Sequence, residues 1–307
     1  MPIAFISHAD CLLHDVGHDH PERPARLNAI QDRLISSGME FIVLQHDAPM
    51  VERSNLERVH DSAYVSRIID EAPEEGVLRL DDDTFMMPKT LNAIMRSAGA
   101  VVYAVDLVMQ KETRLAFCSV RPPGHHAERN RAMGFCYFNN IAVGAAHALE
   151  QYGLERVAIL DFDVHHGNGT EDIFRDDPRV FFGSSFQHPF YPDTGFVTGS
   201  PHIFNIPLAA GTSGIAFQEQ VEEQWLPALD LFKPQLVMIS AGFDAHIEDD
   251  MAHLLLQEVD YSWVTSKLKA IADKHAEGRI VSVLEGGYAI NALGRSAVAH
   301  LDALLGH

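Results

Sequence analysis

Residues 156–170 read RVAILDFDVHHGNGT and join a strand-like run to a dense group of carboxylates and imidazoles. The apolar run at 157–160 predicts a buried strand, and the polar group follows at its end, where open α/β sheets bind their ligands. Alternate residues of an extended chain point to one side, so Asp161, Asp163 and His165 are expected to share a face. A carboxylate and an imidazole placed in this way form half of a metal site.

Strand-like and helix-like segments alternate along the whole chain, without a repeat, a low-complexity stretch or a flexible linker. Such alternation predicts an α/β fold with a mostly parallel sheet and helices on both faces. Strands are predicted at 3–6, 41–44, 115–120, 157–160, 180–184, 204–206, 236–240 and 280–284. Helices are predicted at 25–36, 62–70, 89–110, 139–151, 215–232, 258–276 and after 288. Four segments that carry chemistry each follow a strand and should gather at one sheet edge: 118–126, 161–168, 241–244 and 285–288.

The composition favours a globular protein and argues against several partners. The chain has 307 residues, of which 47% are hydrophobic, and its 23 basic and 43 acidic residues give a net charge of −20. Nucleic acid is not expected as a partner, because phosphate binding needs a basic surface. No membrane association is expected either, since no apolar segment approaches the length of a membrane span and the N-terminus lacks the plan of a signal peptide. Three scattered cysteines, Cys11, Cys118 and Cys136, favour a reducing cytoplasm.

Asp244 follows the buried strand predicted at 236–240 and is the natural third ligand for Asp163 and His165. Two carboxylates and one imidazole, with one coordination position left for water, are typical of a catalytic metal site rather than a structural one. Zinc is the first choice for the metal. Ferrous iron or cobalt would accept the same ligands.

Two further groups have side chains suited to proton transfer beside such a metal. His125 and His126 lie in a glycine-containing turn, where one imidazole would take a proton from water and one would protonate a leaving amine. Asp161 and Asn168 are the candidates for the acceptors that fix the imidazole tautomers. Tyr288 follows two glycines, and its phenol would donate a hydrogen bond to a carbonyl oxygen that gains negative charge.

Taken together, these segments resemble the zinc-dependent histone deacetylase family, which includes acetylpolyamine amidohydrolases and acetoin-utilisation proteins. The matching motifs stand in family order: HPERPARL at 20–27, RPPGHHAE at 121–128, GFCYFNN at 134–140, DFDVHHGNGT at 161–170, SAGFDA at 240–245 and LEGGY at 284–288. Asn168 and the spacing of the last two motifs look like the class II branch and its bacterial relatives.

The resemblance implies one catalytic domain over residues 1–307 with an arginase-like fold, a single eight-stranded, mainly parallel sheet with helices on both faces. Its zinc ligands would be Asp163, His165 and Asp244. The proton-transfer pair would be His125 and His126, with Asp161 and Asn168 behind them and Tyr288 as the polarising phenol. A structural potassium ion near the 157–160 strand would be held by Asp161, Asp163, His165 and Ser184.

The same resemblance implies a narrow channel for the aliphatic stem of an acylated amine, walled by Gly134, Phe135 and Tyr191. Asp83 would hold the substrate backbone, or an amide near it, at the rim. Arg26 would lie in an internal cavity below the zinc, where acetate leaves.

The position of Met251 bears on the substrate. Polyamine-selective relatives carry an acidic residue there, which favours acyl-lysine for this chain, although Asp250 is next to it. Acidic residues of the first loop would attract a second cationic group and keep the polyamine alternative open: Asp15, Asp19 and Glu22.

The sequence thus predicts a cytoplasmic, zinc-dependent enzyme that removes acetyl or other acyl groups from lysine side chains of proteins or peptides. The alternative is an acetylpolyamine amidohydrolase that acts on small acylated amines. A catalytically idle binder of acylated amines is disfavoured by the presence of Tyr288 and both histidines. A two-metal ureohydrolase on the same fold is disfavoured because ligands for a second metal are not evident.

Overall fold

The computed structural model describes residues 2–17, 19–196 and 200–306. An eight-stranded sheet forms its centre, with the order β2-β1-β5-β10-β9-β6-β7-β8 and every pairing parallel. In chain order the strands are β1 (Ala4–Ser7), β2 (Leu44–Asp47), β5 (Leu115–Cys118), β6 (Val157–Asp161), β7 (Val180–Gln187), β8 (Ile203–Leu208), β9 (Leu236–Ala241) and β10 (Ile280–Leu284). A separate antiparallel pair is formed by β3 (Leu78–Arg79) and β4 (Phe85–Met86).

Ten α-helices are present in the described part of the chain. They are α1 (Ala25–Ser37), α2 (Arg53–Leu56), α3 (Ser62–Asp70), α4 (Thr90–Met109), α5 (Asn140–Tyr152), α6 (Asn168–Phe174), α7 (Gly214–Gln220), α8 (Leu226–Phe232), α9 (Glu258–His275) and α10 (Ile290–Leu305). A short 3₁₀ turn at Ala9–Leu12 follows β1, and another at Met39–Phe41 precedes β2.

The central strands are covered on both faces. Every residue of β5, β6, β9 and β10 is buried, as expected for parallel strands between two helical layers. The helices form two groups, in which α4 packs against α5, while α10 packs against both α1 and α9. The predicted α/β fold with an eight-stranded parallel sheet is therefore confirmed.

The topology explains why the reactive segments meet. β5, β10, β9 and β6 are neighbours in the sheet, in that order, and all run in the same direction. The four segments predicted to gather follow these four strands, so their first residues leave the sheet side by side at its carboxyl edge.

Several predicted elements have other bounds in the structure, and two of these differences have a clear local cause. The second strand begins at Leu44 rather than at residue 41, because a 3₁₀ turn follows Gly38 and occupies Met39–Phe41. The long helix predicted at 215–232 is divided by a π-helix at Val221–Trp225, where the N–H of Leu226 donates to the carbonyl of Val221. Pro227 follows and has no N–H to donate, which explains why the regular α-helical pattern fails there.

The helix α4 corrects one expectation drawn from the sequence. It is long and apolar enough, by length and composition, to cross a membrane, whereas no segment was expected to approach that length. In this fold 67% of its most apolar window is buried. A helix that packs in the interior needs apolar residues around most of its circumference, and that need accounts for its composition.

Candidate metal and catalytic centre

Asp163, His165 and Asp244 are buried together, and their ligand atoms all lie within 4.8 Å of one another. The Nδ1 atom of His165 lies 3.1 Å from Asp163 Oδ1 and 3.3 Å from Asp244 Oδ2. Asp244 Oδ2 accepts no hydrogen bond from any described residue, although it is buried. A buried carboxylate oxygen without a partner is costly unless a cation satisfies it. The three residues therefore fit a divalent metal, and two carboxylates with one imidazole suit zinc.

Local hydrogen bonds, rather than an extended strand, bring the ligands together. β6 ends at Asp161, before either ligand that follows it. Asp161 Oδ1 accepts the N–H of Asp163 at 3.1 Å, and Asp163 Oδ1 accepts the N–H of His165 at 2.9 Å. These are successive turns closed by Asp side chains. The side chains of Asp163, His165 and Asp244 do converge. The alternation of side chains along a strand, from which we predicted a shared face, does not explain this, because β6 ends before Asp163 and His165.

Each metal-site carboxylate is also fixed by a second part of the chain. Asp163 Oδ2 accepts the N–H of Gly286 at 2.8 Å, and Asp244 Oδ1 accepts the N–H of Val164 at 2.9 Å. A Cβ on Gly286 would lie 2.0 Å from Asp244 Oδ2. Glycine is therefore required there, because any side chain would displace a carboxylate of the metal site.

The two adjacent histidines have different partners. His125 Nδ1 lies 2.9 Å from Asp161 Oδ2, and His126 Nδ1 lies 2.8 Å from Asn168 Oδ1. The amide of Asn168 donates to Glu128 Oε1 at 2.8 Å, which turns its oxygen toward His126. His126 Nδ1 then carries a proton, and its Nε2 is left free to accept one.

The surroundings also separate the charges of the two imidazoles in the metal-free protein. Burial lowers the pKa of His125, but the negative charges of Asp161 and Asp163 outweigh it and raise that pKa to about 10. Burial, together with the positive charge of His125, holds the pKa of His126 well below its usual value. Neighbouring groups whose pKa values are pushed apart are suited to different proton-transfer roles.

Tyr288 lies in the turn after β10, and Arg26 packs against its ring and bonds to the backbone of that turn. The guanidinium carbon of Arg26 lies 4.8 Å from the centre of the Tyr288 ring, and its Nε donates to the carbonyl of Gly287 at 2.7 Å. Burial raises the pKa of Tyr288 well above its usual value, and Asp244 and Asp163 add to this against the opposing charge of Arg26. The phenol therefore keeps its proton and remains a hydrogen-bond donor.

A cavity of about 210 Å³ brings most of the predicted residues together. Its walls are formed by Asp83, His126, Gly134, Phe135, His165, Phe190, Tyr191, Met251 and Tyr288. Arg26 lies outside this wall, beneath the turn that carries Tyr288. Phe190 was not singled out from the sequence, yet its ring stacks on His165 with centroids 5.6 Å apart.

Asp83 and Thr84 shape the wall opposite. Asp83 Oδ1 accepts the N–H of Gly134 at 3.0 Å, and Thr84 Oγ1 accepts the N–H of Phe135 at 3.0 Å. Phe135 has a φ of 66°, a conformation that a bulky residue adopts only when its surroundings impose it. The two hydrogen bonds supply that constraint and direct the ring of Phe135 into the cavity wall.

Glu22 corrects the expectation that three acids of the first loop attract a cationic group. Its side chain is fully buried and is held by the guanidinium groups of Arg121 and Arg26. Arg121 also donates to the carbonyls of Cys11 and His14, so the ion cluster fastens the first loop to the loop after β5. Of the three acids, only Asp15 and Asp19 are exposed.

Two buried carboxylates near the centre, Glu285 and Asp249, could not be identified from the sequence by considering residues one at a time. Glu285 is buried; its Oε2 accepts the N–H groups of Gly124 and His125 at 2.7 and 3.2 Å, and burial raises its pKa to about 7. Asp249 bonds to the backbone of Tyr288. Both contacts join residues far apart in sequence, and Glu285 stood out only as part of a motif.

Metal binding should release a proton from His165. Burial lowers the pKa of this imidazole, but the adjacent carboxylates of Asp163 and Asp244 outweigh burial and raise that pKa to about 10, so the metal-free site is protonated at neutral pH. A metal must displace that proton, so affinity should rise by up to about tenfold per pH unit between pH 7 and 9. Calorimetric zinc titrations in buffers of different ionisation enthalpy measure the release. An enthalpy that is the same in every buffer would contradict the expectation.

Comparisons with known proteins agree with this arrangement. Residues 20–304 match the family model described as "Histone deacetylase domain". The chain is 39% identical over 309 residues to an uncharacterized protein of Synechocystis sp., covering 99% of each chain. It is 38% identical to a probable deacetylase of Archaeoglobus fulgidus, covering 94% of this chain and 82% of that relative.

Two further similarities concern activity and structure. The chain is 36% identical to a histone deacetylase-like amidohydrolase of Pseudomonas aeruginosa, covering 88% of this chain and 72% of that relative. The crystal structure of the HDA15 HD domain superposes with a TM-score of 0.93 at 32% identity, over 100% of this chain and 88% of the other.

Proposed function

The chain belongs to the histone deacetylase family and is a deacetylase or amidohydrolase, and we propose that it hydrolyses N-acyl-lysine side chains of proteins or peptides with zinc as its metal. One observation carries the proposal. His165, a residue of the buried metal-ligand group, lines the same narrow cavity as His126 and Tyr288. A metal held by His165 and its two carboxylate partners would therefore face the same space as a proton acceptor, His126, and a phenol donor, Tyr288.

When bound, zinc supplies a Lewis acid that polarises the acyl carbonyl and acidifies water. The residues supply the proton transfers. His126 accepts the proton of the attacking water at Nε2, because Asn168 occupies its Nδ1. His125, which is positively charged beside Asp161, stabilises the negative charge that develops on the substrate. The histidine pair then protonates the leaving amine. Tyr288 donates its hydrogen bond to the carbonyl oxygen as that oxygen gains charge.

The cavity walls suit the aliphatic stem of an acylated lysine. Phe135, Phe190, Tyr191 and Met251 present apolar surface to a volume of about 210 Å³, which is below the range of about 300–1,000 Å³ typical of pockets for drug-sized ligands. Asp83 uses Oδ1 for Gly134, and we assign its Oδ2 to an N–H of the substrate backbone. This combination favours an extended side chain attached to a peptide.

The acetylpolyamine alternative rests on acidic residues, and their positions weaken it. Met251 lines the cavity, whereas Asp250 and Asp19 do not; these two acids line a neighbouring cavity together with Glu248, Asp249 and Met251. Glu22 is not available to a cation because it is buried between two arginines. The alternative remains an outcome of the experiment that follows.

We expect kcat/KM for an acetyl-lysine peptide to exceed that for acetylputrescine by at least about tenfold, since position 251 of the cavity wall carries a methionine and the one carboxylate among the described residues that line this cavity, Asp83, already accepts the N–H of Gly134. Both substrates are measured side by side with one enzyme preparation. Met251→Glu places a carboxylate in the wall and should shift the ratio toward acetylputrescine, while Met251→Leu serves as the matched control. A wild-type preference for acetylputrescine would make the polyamine function the better assignment.

Several narrower assignments stay predictions. We propose that residues 1–307 form one catalytic domain and that the protein acts in the cytoplasm, without nucleic-acid or membrane partners. The predicted potassium ligands Asp161 and Ser184 face each other across β6 and β7 and are buried. Their side chains contact His125 and His166 respectively. We propose that a potassium ion there would be held by Asp161, Asp163, His165 and Ser184.

A further inference from the structure

We propose that Asp249 is a positioning residue for the hydrolysis, which acts by holding the backbone that carries Tyr288. The inference rests on the function proposed above. Asp249 is only 4% exposed, and its Oδ2 accepts the N–H of Tyr288 at 2.6 Å and the N–H of Ala289 at 2.8 Å. It is not one of the metal-ligand residues, and it lines not the cavity of the metal centre but the neighbouring cavity, which Met251 and Tyr288 also line.

The turn before Tyr288 needs an external anchor. Gly287 has a φ of 119°, so the chain bends sharply between β10 and the phenol. α10 then begins at Ile290, and its N-cap residue, Ala289, has no side chain that could accept a hydrogen bond. Backbone N–H groups at the start of a helix lack partners within the helix. Asp249 supplies the missing acceptor from another loop, and its negative charge is favourable at a helix N-terminus.

The other oxygen of the same carboxylate reaches the cavity wall. Asp249 Oδ1 accepts the N–H of Met251 at 3.0 Å, and the N–H of Asp249 donates to the carbonyl of His246 at 2.8 Å. One buried carboxylate therefore fixes both the phenol of the reaction and a residue that contacts the substrate stem. The loop after Asp244 is thereby tied to the turn after β10.

Asp260 provides a matched case of a buried carboxylate that serves stability alone. Asp260 is 6% exposed, and its Oδ2 accepts the N–H of Gln257 at the start of α9 at 2.9 Å. It lines no part of the cavity. Asp260→Asn should therefore lower the melting temperature and leave kcat unchanged.

The test compares Asp249→Asn in the wild-type and Tyr288→Phe backgrounds, with an acetyl-lysine peptide as substrate. In the wild-type background we expect kcat to fall by about 10- to 100-fold with little change in KM, because the phenol is misplaced. In the Tyr288→Phe background the same change should cost less than about threefold, because no hydroxyl remains to position. An equal fall in both backgrounds, or no fall in the wild-type background, would overturn the inference.

Hydrogen exchange at the amides of Tyr288 and Ala289 supplies a readout that needs no turnover. Both amides should exchange faster in Asp249→Asn than in wild type, while amides within α10 keep their protection. Unchanged exchange would overturn the inference even if the enzyme proved to act on another substrate. A wild-type enzyme that hydrolyses neither acyl-lysine nor acetylpolyamine would instead reject the proposed function. If Asp249→Asn does not fold, Asp249→Glu keeps a carboxylate and is judged by the same comparisons.

Discussion

Tyr288→Phe should lower kcat by about 10²–10³-fold, equivalent to roughly 3–4 kcal/mol of transition-state stabilisation. The phenol lines the cavity and keeps its proton, so it is placed to donate to the carbonyl oxygen only as that oxygen becomes negative. KM should change little, because the hydrogen bond strengthens in the transition state rather than in the bound substrate. Steady-state kinetics with an acetyl-lysine peptide measure both constants.

The fold should survive this change, since the ring that packs over Arg26 is retained. Tyr191→Phe is the matched control, because it removes the other phenol of the same cavity and should leave kcat close to wild type. Equal kcat values for wild type and Tyr288→Phe would remove the phenol from the mechanism.

His126→Ala should lower kcat by about 10²–10⁴-fold, the range typical of lost general acid–base catalysis. Its Nδ1 is occupied by Asn168 and its pKa is held low by burial and by the charge of His125, so it is the imidazole that can accept a proton. His125→Ala should cost less, since Asp161 keeps His125 charged and it acts mainly through that charge. Activities of the two variants, measured after equal zinc loading, give the comparison. A larger loss in His125→Ala would reverse the two roles.

Asn168→Ala separates positioning from chemistry in the same pair. It leaves His126 in place but removes the oxygen that orients it and fixes its tautomer. We regard it as the control for His126→Ala: its activity should lie between wild type and that variant, and the pH dependence of kcat/KM should shift.

The parallel sheet and the meeting of the four reactive segments could be predicted from the sequence. Apolar runs of four to six residues, each followed by polar residues and then a helix, leave few topologies other than parallel strands. Asp163, His165 and Asp244 follow two such strands, and β6 and β9 prove to be neighbours. The resemblance to the histone deacetylase family assigned these three residues to one zinc ion.

Other features depend on contacts between distant parts of the chain, which no local pattern reveals. Glu22 reads as an exposed acid of a polar loop, but Arg121, 99 positions later, buries it. Asp249 and Glu285 accept hydrogen bonds from backbone N–H groups. Almost every residue carries such a donor, so the sequence does not reveal which one a carboxylate contacts. The path from Asp161 to His165 follows turns closed by side chains, which a period of two residues cannot describe.

Metal removal tests the central claim most directly, namely that Asp163, His165 and Asp244 hold one catalytic metal ion. The purified protein is stripped with a chelator, its metal content is measured by mass spectrometry, and hydrolysis of an acetyl-lysine peptide is followed as zinc is added back. The structure predicts no activity in the metal-free protein, full recovery at about one zinc ion per chain, and no recovery in Asp244→Ala. Undiminished hydrolysis by the metal-free protein would contradict this account.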